Sequence, residues 1–210
     1  MAKLLLARHG NTFGPGDKVV WVGANEDLPL VARGEEQAHE LGDALRAAKL
    51  VPTRIISGPL KRTRRAAEIV KSLCGFTGEI EIDQRLKEID YGSWGGKSNE
   101  EIEAQFGLDA LTEWDTHHRR PDGVDWSPSD ADLKANALAA MADAVTETGF
   151  ALVITSNGIL RYMHSALTGD DANAKVKTGY CCAAEITGTS GARLFWNEKP
   201  DAALVAKTLS

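Results

Sequence analysis

Lys3-Leu4-Leu5-Leu6-Ala7-Arg8-His9-Gly10-Asn11-Thr12 is the stretch on which the fold turns. Lys3 to Ala7 is a short, mostly apolar run, too brief for a helix core, and reads as a buried strand. Arg8 and His9 end it with two basic side chains, and Gly10-Asn11-Thr12 is prone to turn. A strand that delivers an arginine and a histidine into a turn places reactive groups at one edge of a sheet.

Two other segments end in the same way. Arg54 to Ser57 predicts a second strand, closed by Ser57-Gly58-Pro59, and Phe150 to Thr155 predicts the strongest strand, closed by Ser156-Asn157-Gly158. Helices are expected between them. Gly34 to Lys49 has an apolar face of Ala38, Leu41, Leu45 and Ala48. A second helix, with Pro59 in its first turn, runs to about Leu73 and turns Ala66, Ala67, Ile69, Val70 and Leu73 inward. Glu79 to Asp83 alternates like an edge strand, and Ser98-Asn99-Glu100-Glu101 fits a capping box. Ser129 to Asp132 caps an Ala-rich helix to about Thr148, and another helix runs from Asn157 to about Leu167. Cys181 to Thr187 and Arg193 to Trp196 predict a hairpin across Gly188 to Gly191.

Strands alternating with helices imply an α/β fold, a three-layer α/β/α sandwich with a mostly parallel central sheet. Ligands of such sheets bind beyond the carboxyl ends of the strands, so the three polar turns should converge on one crevice. The whole of residues 1–210 reads as a single domain, with residues 14–33 as a long loop and residues 107–129 as a lid-like insertion.

Composition narrows the function. The chain is 43% hydrophobic and 26% charged, ordinary for a globular protein, and carries a net charge of −6. That balance argues against a nucleic-acid partner, which calls for a basic surface, yet permits a small anionic substrate in a locally positive pocket. No stretch reaches the roughly 20 apolar residues of a membrane span. Cys74, Cys181 and Cys182 form no metal or redox spacing and suit a reducing cytoplasm. A homodimer stays open.

Phosphoryl transfer fits the turn residues. It needs cationic donors for the equatorial oxygens, an in-line nucleophile and an acid for the leaving oxygen. Arg8 stands beside His9, and Arg62 falls in the first turn after Pro59, where the helix dipole favours an anion. His9 attacks as neutral imidazole, kept neutral by the two arginines. Glu88 is the expected proton donor, with Asp90 as its competitor; Arg62 competes with Arg64 and Arg65.

At this point the sequence resembles a known family. Leu6-Ala7-Arg8-His9-Gly10-Asn11-Thr12 resembles the signature of the histidine phosphatase superfamily, the phosphoglycerate mutase-like proteins. Further stretches follow in that family's order: Asp27-Leu28-Pro29-Leu30 with Gly34 and Gln37-Ala38, then Ser57 to Arg62, Leu86 to Trp94, and Ala151 to Leu160. The resemblance covers about residues 3–165. It implies that His9 forms a phosphohistidine, that Glu88 protonates the leaving group, and that Arg8 and Arg62 clamp phosphate. It implies no metal and no organic cofactor, and a small phosphorylated substrate.

Two positions depart from the family pattern. The last turn usually reads Ser-His-Gly, whereas this chain has Ser156-Asn157-Gly158. Whether natural or introduced, Asn157 keeps an amide donor for phosphate but carries no charge. Exchanging a charged hydrogen bond for a neutral one costs about 1–2 kcal/mol, roughly 5- to 30-fold in rate. The family's Asn six residues after the nucleophile is replaced by Pro15, so Asn11 or Thr12 is left to supply that phosphate-binding donor. Three functions follow: a phosphatase, a mutase, or a weakly active binder of phosphorylated ligands. The run His117-His118-Arg119-Arg120 either holds a second anionic group of the substrate or is solvated loop charge. Tyr91 to Ser98 imitates a nucleotide-binding loop but lacks its first glycine and its leading strand. His39 reads as a surface residue and His164 as structural.

Overall fold

The computed structural model describes residues 2–170, 174–188 and 190–210. Six strands form one sheet in the order β3-β2-β4-β1-β5-β6. They are β1 (Ala2–Arg8), β2 (Arg54–Ser57), β3 (Ile80–Ile82), β4 (Phe150–Thr155), β5 (Cys181–Thr187) and β6 (Ser190–Glu198). β1, β2, β3 and β4 run parallel, β5 is antiparallel to β1, and β6 is antiparallel to β5. The helices are α1 (Ala32–Ala47), α2 (Lys61–Cys74), α3 (Asn99–Phe106), α4 (Leu108–Asp115), α5 (Asp130–Ala144), α6 (Asn157–Thr168) and α7 (Ala202–Leu209).

Strand periodicity divides the core in two. Leu5, Ala7, Ile55, Leu152 and Ile154 face one layer with apolar residues of α1, α2 and α7. Leu4, Leu6, Ile56 and Val153 face the other with α3, α4, α5 and α6. Successive side chains of a strand point to opposite faces, so an unbroken apolar run is what a sheet covered on both sides requires. The expected three-layer α/β/α sandwich is the fold of this chain.

Several boundaries differ from the sequence reading. α2 begins at Lys61, so Pro59 lies before the helix rather than in its first turn. The first turn is capped from a distance, since the Lys61 N–H donates to Asp27 Oδ1 at 2.6 Å. α5 stops at Ala144, short of Thr148. β6 starts at Ser190, and α7 had no counterpart in the sequence reading. The capping box at Ser98 is present, with the Ser98 N–H donating to Glu101 Oε2 at 2.8 Å. β3 sits at the sheet edge.

Because β1, β2 and β4 are parallel, their carboxyl ends share one side of the sheet. The turn after β1 is fixed by two glycines. A Cβ on Gly10 would lie 2.2 Å from Gly34 O, and one on Gly34 would lie 2.2 Å from Asn11 O. Backbone meets backbone here, so neither position has room for a side chain. Gln37 completes the junction: its Oε1 accepts from Asn11 N–H at 2.9 Å and its Nε2 donates to Thr178 O at 3.0 Å. Gly34→Ala is expected to lower stability by about 1–3 kcal/mol through overpacking, read from urea denaturation. An unchanged midpoint would contradict this close approach.

Candidate active site

His9 is buried at 7% exposure directly after β1. Its Nδ1 donates to its neighbour's carbonyl, Gly10 O, at 2.7 Å. A carbonyl only accepts, so the proton resides on Nδ1 and the Nε2 lone pair is left for chemistry. Arg62 Nε donates to that Nε2 at 3.2 Å. Protonation of His9 is opposed first by burial and then by Arg62 and Arg8, which hold its pKa well below the usual histidine value. The two arginines were expected to keep the ring neutral; burial is the larger cause.

Arg62, in the first turn of α2, is buried. Nη1 donates to Glu26 O at 3.1 Å and Nη2 to Gly23 O at 2.7 Å. These carbonyls come from the long loop before α1, so the loop acts as the guanidinium's cradle. Arg64 is exposed and Arg65 pairs with Glu35 at 2.7 Å, so the offset that favoured Arg62 agrees with the geometry. Arg8 donates from Nη1 to Val176 O at 2.6 Å, while its buried Nε has no hydrogen-bond partner among the described residues. Burial pushes Arg8 down to about 10, still cationic at neutral pH.

Glu88 is buried at the opposite side of the cluster. Oε1 accepts from Ile89 N–H at 2.9 Å, and Oε2 accepts from Gly158 N–H at 3.3 Å. Gly158 is required by this contact, because a Cβ there would lie 2.2 Å from Glu88 Oε1. Asp90 instead accepts from Gly92 N–H at 2.9 Å and bridges to Ser127 through the backbone, outside the cleft. Asn157 opens α6. Its Oδ1 accepts from Val176 N–H at 2.8 Å, which orients the amide so that Nδ2 is the donor left to the cleft. Val176 thus holds Arg8 by its carbonyl and Asn157 by its amide.

These groups line one cleft of about 540 Å³, which also takes in Asn11 and Thr12. All seven residues singled out from the sequence as catalytic or phosphate-binding are therefore brought together. Its upper wall is an aromatic cluster. Trp21 packs edge-on to Tyr91 and Trp94, and Trp126 packs edge-on to Tyr91, Trp94 and Trp114, with ring centroids 4.9–5.0 Å apart. The run His117 to Arg120 does not reach the cleft. Arg119 pairs with Glu113 at 2.7 Å, and Arg120 pairs with Asp130 at 2.8 Å and donates to Trp126 O and Pro128 O. A role for that run in substrate binding is corrected accordingly. Val176 and Arg161 were missed, and Gln37, quoted within Gln37-Ala38, had been given no role at the site. His39 is exposed, and His164 is packed against Trp196 away from the cleft. Among the described residues, no group of three or more His, Cys, Asp or Glu could hold a metal ion, and no helix is long and apolar enough to cross a membrane.

A buried histidine whose unprotonated Nε2 faces Arg62 thus lies among arginines at the carboxyl ends of parallel strands. Residues 4–198 match the model of the histidine phosphatase superfamily, branch 1, and the chain belongs to that family. It is 37% identical over 120 residues to the probable phosphoglycerate mutase GpmB of Citrobacter koseri, covering 57% of this chain and 49% of that protein. The match therefore spans about half the length of that curated relative. Among solved structures, Bacillus stearothermophilus YhfR superposes with a TM-score of 0.76 at 26% identity, covering 93% of this chain and 96% of YhfR. A mycobacterial glucosyl-3-phosphoglycerate phosphatase gives 0.76 at 21%, over 95% of this chain and 100% of that one. The second likeness concerns the fold alone.

The tautomer and charge of His9 can be read by nitrogen-detected NMR. Its ring should carry the proton on Nδ1 and titrate well below the usual histidine range, because burial, Arg62 and Arg8 oppose its protonation. A His9 that titrates near pH 6.5 would contradict the burial and clamp described above.

Proposed function

We propose that the chain is a phosphomonoester hydrolase that works through a phosphohistidine on His9, acting on a small phosphorylated metabolite. The observation that carries this reading is the fixed Nδ1–H tautomer, which leaves Nε2 unprotonated and facing Arg62. Family membership and the assembly of Arg8, Arg62, Glu88 and Asn157 around that nitrogen support it.

The phosphate would displace Arg62 from Nε2 and take its donors, together with Arg8 Nε and Asn157 Nδ2, for the equatorial oxygens. Asn11 and Thr12 contribute further donors at the cleft wall. The N-terminus of α6 adds its dipole. Nε2 then forms the N–P bond as the P–O ester bond breaks, and Glu88 delivers its proton to the departing oxygen. In the second half, Glu88 takes a proton from water as the water oxygen attacks phosphorus. The N–P bond breaks, releasing inorganic phosphate and restoring neutral His9. Segment 107–129 is proposed to act as a lid-like wall through Trp114, which Trp126 supports from behind.

A mutase reading draws support from the likeness to GpmB. The hydrolase is preferred because α7 packs against α1 on the far layer of the sheet rather than over the cleft. A weakly active binder of phosphorylated ligands is the third reading, resting on Asn157, whose amide supplies no charge.

Purified protein should hydrolyse p-nitrophenyl phosphate without added metal, and His9→Ala should abolish turnover. Equal inactivity of both proteins on a broad phosphate panel would remove the enzyme reading. Glu88→Gln should slow alkyl phosphates by about 10²-fold or more, and p-nitrophenyl phosphate far less, because a good leaving group needs little proton transfer. Asn157→His should raise turnover by roughly 5- to 30-fold. No gain would mean that the cleft is adapted to the amide, and release of a phosphorylated isomer from 3-phosphoglycerate in place of free phosphate would favour the mutase.

A further inference from the structure

Arg161 is a buried cation that the phosphoryl-transfer scheme leaves unused. It is 3% exposed, yet it lines the same cleft. Its Nη1 donates to Trp114 O, and its guanidinium stacks on the Trp114 ring at 4.5 Å. Its Nε and Nη2 have no hydrogen-bond partner among the described residues. Unsatisfied donors of a buried guanidinium are costly unless a ligand oxygen meets them. Nη2 has only an ion-pair contact, with Asp115 Oδ1 at 3.6 Å, and Lys175 Nζ reaches the same oxygen at 3.0 Å. Asp115 and Lys175 both line the cleft and both are partly exposed, so this carboxylate can leave.

We propose that Arg161 and Lys175 form a second anion subsite, and that Asp115 occupies it in the free protein as a stand-in for a substrate carboxylate. Arg161 follows Asn157 by four residues on α6, one turn along the same face, and both line the cleft. The substrate is therefore a phosphomonoester that also carries a carboxylate. Trp114 fixes the guanidinium plane, and a bidentate carboxylate satisfies donors that Asp115 leaves unmatched. The inference rests on the phosphoester reading of the cleft but not on turnover.

Glycerol 3-phosphate and 3-phosphoglycerate form a matched pair, differing only in a hydroxymethyl against a carboxylate at the far carbon. Calorimetric titration in the His9→Ala background reads binding without turnover. The carboxylate compound should bind at least about tenfold tighter, a difference of ~1.4 kcal/mol. Arg161→Gln and Lys175→Gln should each shrink that ratio, and Asp115→Asn should widen it by removing the internal competitor. Lys175 and Asp115 are surface-accessible, so their variants decide the matter even where Arg161→Gln folds poorly. Equal binding of the two compounds, or a preference that survives both Lys175→Gln and Asp115→Asn unchanged, would overturn the subsite. Turnover of p-nitrophenyl phosphate by the otherwise unaltered protein is scored separately, so loss of the hydrolase reading and loss of the subsite are distinct results.

Discussion

The rest of the site depends on one hydrogen bond, from His9 Nδ1 to Gly10 O. It fixes the ring plane and assigns the proton, so the lone pair of Nε2 faces Arg62 before any substrate arrives. It also explains the backbone around it. The Gly10 that supplies this carbonyl sits in the β1 turn, which passes against Gly34 with no room for a side chain on either residue. Gln37 then ties that turn to the strap at Thr178, and Gly179 N–H donates to His9 O at 3.1 Å. A nucleophile set by backbone and packing needs no reorganisation at the moment of reaction.

The second constraint is electrostatic. Arg8, Arg62 and Arg161 are held close enough to a buried cleft that burial lowers all three, while the neighbouring Glu88 raises each of them. A net charge of −6 over the whole chain coexists with this local excess of cation. The strain of crowding guanidinium groups is partly met by carbonyls: Val176 O for Arg8, Gly23 O and Glu26 O for Arg62, and Trp114 O for Arg161. Spare donors that remain, on Arg8 and Arg161, are what a bound anion would satisfy.

Much of this was legible in the residues. β4 has the bounds expected from Phe150 to Thr155, because an unbroken apolar run ending in Ser-Asn-Gly admits few alternatives. The convergence of His9, Arg62 and Asn157 followed from three polar turns ending three parallel strands. Other features left no trace in residue type. The cradle of Arg62 is built from main-chain carbonyls of a Gly- and Pro-rich loop, and any residue has a carbonyl. α7 is eight residues long, too short for its periodicity to stand out. Residue type does not separate Arg161, on the buried face of α6, from a solvated helix arginine; only its neighbours do.

The central claim is that His9 itself carries the phosphoryl group. Rapid mixing with an excess of p-nitrophenyl phosphate, quenching in alkali and mapping the peptides by mass spectrometry tests it most directly. The expected result is one phosphoryl group on the peptide containing His9, stable in alkali, lost in acid and absent from His9→Ala. Steady turnover with no such adduct at any time after mixing, or an adduct on a different residue, would contradict it.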